Sequence, residues 1–183
     1  MRGTCGLSLA MLLAGCATHS PVANDDAARA GQVGMREISG MIAQPSRVTL
    51  APNESFLVPV EDDANAMPAY PDVLLSRALP PQAVCMSVAV DRDGTVMSSA
   101  PAVAPPACPG TDAVDPAFFA TVQRTLEHWR YDPALRCVFP DARTKDETVG
   151  SCGGYTEIPE AVTLTYRFVF EQNDGRGSVR MGR

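Results

Sequence analysis

Cysteine and histidine are the side chains of widest chemical range in this chain, and their positions limit what each can do. Cys5 and Cys16 stand in an apolar N-terminal run, while Cys85, Cys108, Cys137 and Cys152 are spread through the remainder. A structural zinc site wants close pairs such as C-x-x-C, and the later four supply none, so no metal site is expected. In an exported chain four such thiols read as two disulfides. Cys85 with Cys108 and Cys137 with Cys152 are favoured over the other pairings because each pair brackets one local excursion. Each bridge would contribute roughly 2–4 kcal/mol. His19 lies in a polar stretch and His128 beside Trp129. A hydrolytic triad needs its base held next to a nucleophile; His19 falls in the tether and His128 reads as a partly exposed helix residue, so no catalytic residue is assigned and no enzyme is expected. Glu61, Asp62 and Asp63 read as solvated charge in a linker. Asp91 and Asp93 could open a calcium loop, but the remaining ligand positions and the distal glutamate are missing, and a turn fits better. No cofactor is implied.

The cysteine that invites different chemistry is Cys16. Residues 1–15 combine Arg2, a short apolar run from Leu7 to Leu13 and small residues at the end, the pattern of a secretory leader too short to span a membrane. Leu13-Ala14-Gly15-Cys16 is similar to a bacterial lipobox, which implies cleavage before Cys16 and acylation there; several acyl chains would anchor the chain firmly. Ala17, where inner-membrane retention favours Asp, points to the periplasmic face of the outer membrane. A formal charge of −6 and a single lysine, Lys145, argue against a nucleic-acid partner, since phosphate contacts need clustered Lys and Arg.

The elements that hold these residues follow from periodicity. The 183 residues suffice for one globular domain with extensions. Residues 16–45 read as a lipid-anchored flexible tether with at most a short helix around Met35, Ile38, Met41 and Ile42. Residues 46–66 form an extended segment in which Arg47 to Leu50 and Ser55 to Val60 are β-prone, as a small hairpin or an added edge strand. After Tyr70-Pro71, the run Asp72 to Leu79 predicts a short helix that Pro80-Pro81 must end. Val84, Met86, Val88 and Val90 alternate as a strand with one buried face, and Asp91-Arg92-Asp93-Gly94 turns it into a second strand over Thr95 to Ala100. Ala102 to Thr111 is a Pro-rich loop stapled by Cys108.

Asp115 and Pro116 then start a helix of about sixteen residues, roughly 24 Å long, whose buried stripe is Phe118, Val122, Leu126 and Trp129. It should end at Tyr131-Asp132-Pro133. Arg136 to Glu160 reads as a disulfide-closed loop, with room for an irregular hairpin. The strongest strand is Val162 to Phe170, with Leu164, Tyr166 and Phe168 on the core side. Residues 173–183 read as a disordered tail. Every apolar stripe is satisfied by an α+β fold: a three-stranded antiparallel sheet, a long helix on one face and a short N-terminal helix.

Tyr70-Pro71, the Asp91 to Val96 hairpin, the Trp129-Arg130-Tyr131-Asp132-Pro133-Ala134 helix end and the final strand together resemble the C-terminal domain of TonB-type energy transducers, over residues 67–172. The resemblance implies a periplasmic domain that receives an extended peptide from an outer-membrane receptor along the last strand, a β-augmentation. The acceptor edge would be Thr163, Thr165, Arg167 and Val169. The resemblance breaks at the N-terminus, where a lipobox and a short tether replace the transmembrane helix and long spacer of the transducers. Two functional classes therefore stay open beside the enzyme: a lipid-anchored module that captures an extended segment of an outer-membrane or periplasmic protein, and an accessory or inhibitory lipoprotein of a secretion or envelope complex. If the run Ser55 to Val60 pairs with that edge, peptide capture there is blocked and the second gains. Exposed edge strands also permit a homodimer.

Overall fold

The computed structural model describes residues 32–41, 49–104 and 106–172. The leader, Cys16, the tail and the greater part of the tether lie outside them.

The chain is a mixed α and β protein of antiparallel sheets with few helices. Its main sheet has four strands, β1 (Gln32–Glu37), β4 (Gln82–Val90), β5 (Val96–Pro101) and β9 (Val162–Glu171), in the order β1-β9-β4-β5. A second sheet orders β2 (Glu54–Leu57), β7 (Ala134–Val138) and β8 (Thr156–Glu160) as β2-β7-β8. A ribbon of β3 (Val60–Glu61) with β6 (Tyr131–Asp132) links the two. The helices are α1 (Pro116–Leu126) and the short α2 (Ala142–Glu147).

The expected alternation is present in β4 and β9. Val84, Met86, Val88 and Val90 with Leu164, Tyr166, Phe168 and Phe170 are buried on one face, and Phe118, Val122 and Leu126 of α1 with Trp129 cover them. Aromatic rings knit this core: Phe118 lies 4.8 Å from Phe170, Trp129 5.6 Å from Tyr166 and 6.2 Å from Phe168 between centroids. Asp115 caps α1 by accepting from the Ala117 amide at 3.0 Å. In the turn, Asp91 accepts from the amides of Asp93 and Thr95, and Gly94 takes φ 77°. A Cβ at Gly94 would lie 1.8 Å from the carbonyl oxygen of Tyr131, so glycine is required there by contact as well as by conformation.

Three expectations need correction. Residues 32–41, assigned to a flexible tether with a short helix, instead form β1 and a single 3-10 turn at Ser39–Met41, which makes the main sheet four-stranded. The helix stops at Leu126, not Tyr131, and Trp129 belongs to the turn beyond it. Tertiary contacts capture that turn: the Asn65 side chain accepts from the Arg130 amide and donates to the Arg130 carbonyl, both at 2.8 Å, and the Tyr131 amide donates to Gly94 at 2.9 Å. The short helix after Tyr70 is a 3-10 helix, Asp72–Arg77, ended by Ala78 at φ 44° before either proline is reached. Of the two forms open to Ser55 to Val60, the added edge strand is the one present: it contributes to β2, at the edge of the second sheet beside β7, and to β3, paired with β6. Residues 136–160 hold most of the second sheet, where Arg136 ties its neighbours together through Glu54 at 2.7 Å and Glu160 at 2.8 Å.

Candidate functional site

The edge strand expected to face a partner is β9, and here it has a neighbour on both sides. Toward the interior of the sheet it pairs with β4 from Gln82↔Phe170 to Val90↔Val162. On the other side β1 runs antiparallel in six consecutive pairs, from Gln32↔Glu171 through Met35↔Phe168 and Arg36↔Arg167 to Glu37↔Tyr166. Pairing continues past the end of β1: the Ile38 amide donates to the Thr165 carbonyl at 2.7 Å, and the Thr165 amide donates to Ser39 Oγ at 2.6 Å. Of the four residues assigned to the acceptor edge, Val169, Arg167 and Thr165 therefore have their outward backbone groups engaged by the chain itself, and Thr163 lies beyond the last of these bonds.

Period two places those residues on the face of β9 opposite α1, and the part of that face around Thr165 and Arg167 is also covered. The loop from Ala102 to Cys108 folds over it, held by the Cys85–Cys108 disulfide and by the Arg167 guanidinium, whose Nε donates to the Ala107 carbonyl at 3.1 Å. Ile38 inserts beneath the loop and is only 2% exposed; it shares a small apolar cluster with the Cys85–Cys108 cystine, packed by Ala102, Ala104 and Ala107. Thr165, directly alongside, is buried as well. The first cystine thus sits against the chain that occupies the edge. The second, Cys137–Cys152, belongs to the other sheet, where it packs on Phe139.

At the C-terminal end of β1 a polar relay enters the core. Tyr131 donates to the Tyr166 hydroxyl at 3.2 Å, and Tyr166 donates to Glu61 Oε1 at 2.8 Å. Burial pushes the Tyr131 phenol up to about 12, with the nearby Glu61 and Glu37 charges adding to the rise against the pull of the Tyr166 hydrogen bond. Burial raises Tyr166 likewise. The relay joins β3, β6 and β9.

His128 is exposed and lines an open groove of about 450 Å³ with Met67, Arg124 and Thr125, between α1 and the segment 64–69. The backbone of that segment is spoken for, since Ala66 accepts from Trp129 Nε1 at 2.8 Å and Ala69 from Thr121 Oγ at 3.2 Å. No cluster of three or more His, Cys, Asp or Glu arranged for a metal occurs among the described residues, and no described helix is long and apolar enough to cross a membrane. Sequence reasoning missed β1 and the pocket for Ile38. The signal available was slight: Val33, Met35 and Glu37 alternate with Gly34 and Arg36 over too short a run to stand out.

The geometry defines an antiparallel α+β domain whose last strand accepts a further strand along its outer edge. No protein-family model matches the chain, and neither does any curated protein or solved structure.

Proposed function

We propose that this chain is a periplasm-facing lipoprotein, anchored to the outer membrane through Cys16, whose TonB C-terminal-like domain binds an extended segment of an envelope protein by β-augmentation at the β9 edge. Its action is binding rather than catalysis, and TonB-type transmembrane transport is the process into which such a module fits. The observation that carries the reading is the pairing of β1 with β9: a strand of this chain already uses that edge in antiparallel register. A partner strand would replace β1 bond for bond, so backbone hydrogen bonding contributes little net preference and side chains decide the exchange.

A second reading has a specific observation in its favour. An intramolecular strand has an effective concentration on the order of mM, and a partner has to overcome it. If β1 stays in place, the domain is an accessory or inhibitory lipoprotein of a secretion or envelope complex, docking through other surfaces and coupled to no energy source.

A photoreactive residue at Thr163, exposed just past the β1 contacts, distinguishes the two in intact envelopes. Capture by strand exchange predicts crosslinks that map to an extended segment of an outer-membrane protein and that a synthetic peptide of residues 32–40 competes away. Crosslinks to a folded subunit of an envelope assembly, indifferent to that peptide, would favour the accessory role.

A further inference from the structure

The side chains of β1 fit the edge unevenly, and the misfit says what a better strand would carry. Arg36 stands directly opposite Arg167 on the loop-covered face. Facing residues of an antiparallel pair bring their Cβ atoms to within about 5 Å, where like charges destabilise. Neither guanidinium forms an ion pair among the described residues, and the one polar contact of the Arg167 side chain there is the neutral carbonyl of Ala107. Two residues on, the fit is close. Ile38 fills the apolar pocket beneath the 102–108 loop, its amide and the Ser39 hydroxyl both engage Thr165, and the chain then turns away at Ser39–Met41.

We infer that the β9 edge is built to select an extended peptide with an acidic residue opposite Arg167, a branched aliphatic residue two positions later in the Cys85–Cys108 pocket, and a hydroxyl residue immediately after it. β1 satisfies the second and third requirements and violates the first, so it covers the edge and yields to a strand that satisfies all three. Pocket and charge act at different levels. The pocket fixes the register, because a one-residue slip would turn the aliphatic side chain to the opposite face. The Arg167 charge then discriminates among strands in that register. This inference rests on the proposed β-augmentation and adds the chemistry of the segment that is bound.

The test uses the full chain and peptides of its own residues 32–40. Ile38→Asp in the chain puts a charge into the apolar pocket, and faster amide exchange at Thr165 and Arg167 reports the opened edge. Labelled peptides are then titrated into this variant. The peptide carrying Arg36→Glu should bind about fivefold tighter than the unaltered one, as expected for replacing a like-charge cross-strand pair by an opposite one. That advantage should disappear in the Arg167→Gln background. The peptide carrying Ile38→Asp should bind at least tenfold more weakly, the ratio that goes with losing a buried aliphatic side chain. If all the peptides bind equally, the selectivity inference is wrong while strand capture at this edge survives. If none binds although the edge amides exchange freely, strand capture itself is wrong and the inference goes with it. Edge amides that stay protected in the Ile38→Asp chain also overturn the inference, because Ile38 would not be what seats the strand.

Discussion

Replacing Trp129 by alanine tests the core against the position this residue occupies. Trp129 is 1% exposed, yet it lies outside α1, in the turn that carries the chain from Leu126 to β6. Its ring packs against Tyr166, Phe168 and Tyr131 and its Nε1 donates to Ala66, so it joins the sheet, the turn and the segment 64–69 at one point. Truncation removes a fully buried indole and leaves a cavity, a change that costs about 3–5 kcal/mol. The Ala66 carbonyl adds little to that cost, since Ala66 is exposed and water can replace the indole donor. For a domain of this size the loss corresponds to roughly 10–20 °C in Tm. Thermal unfolding followed by far-UV circular dichroism, with the disulfides kept intact, measures it without relying on the fluorophore that has been removed. Native helix content should stay unchanged, because the residue does not belong to the helix. A melting point within about a degree of the parent would refute the packing argument, and a marked loss of native helical signal would refute the placement of Trp129 beyond the end of α1.

Three further changes probe other parts of the molecule. Gly94→Ala should destabilise by more than the roughly 1 kcal/mol that a positive φ alone costs an L-residue, because the methyl group meets the Tyr131 carbonyl; chemical denaturation that returns a neutral variant would show that this approach is not tight. Removing the first cystine by Cys85→Ala with Cys108→Ala should cost about 2–4 kcal/mol overall, and should speed amide exchange at Thr165 more than at the β4-facing amides of β9, since Ile38 loses a wall of its pocket. Uniform acceleration along β9 would separate the cystine from β1. The third concerns pH: the folded-state value of Tyr131 is raised from 10.0 to about 12, so its contribution is fully present below pH 10 and is lost as pH rises from 10 through 12. The slope there is about 1.4 kcal/mol per pH unit for each such phenol. Tyr131→Phe should flatten that alkaline limb, and an unchanged slope in urea titrations would sink the assignment.

What the sequence discloses depends on whether an element is determined by neighbours in the chain or by neighbours in space. β4, β5 and the turn between them are local: alternating valines, then an Asp-Gly pair whose glycine supplies the positive φ. β9 is legible for the same reason. The end of α1 is not, because the three-residue step from Leu126 to Trp129 suits a continuing helix and a single tighter turn equally well. The His128 and Trp129 amides donate three residues back, to Thr125 and Leu126, and the choice is made by Asn65, more than sixty residues away in the chain. β8 hides behind Pro159, which a strand tolerates at the edge of a sheet, where β8 lies. β1 is the extreme case. Glycine, arginine and glutamate lend it no strand propensity, and it exists because β9 offers a ladder of unpaired groups to complete.

That dependence bears on what β1 is for. An uncovered β9 would be a ten-residue edge rich in aromatic and β-branched side chains, the kind that recruits other chains without selectivity, and shielding it would be reason enough for a covering strand. Shielding, however, is indifferent to what stands opposite Arg167, and almost any neutral residue would shield better than the Arg36 that is there. At the opposite edge of the same sheet, β5 is shorter and ends at Pro101, which has no N–H to offer a neighbouring strand. The two edges thus differ: one is short and ends in a proline, while the other is closed by a strand seated in a pocket at Ile38 and facing a like charge at Arg36. On the proposed strand capture, a cover seated at Ile38 and facing a like charge at Arg36 is one that a better-matched strand displaces.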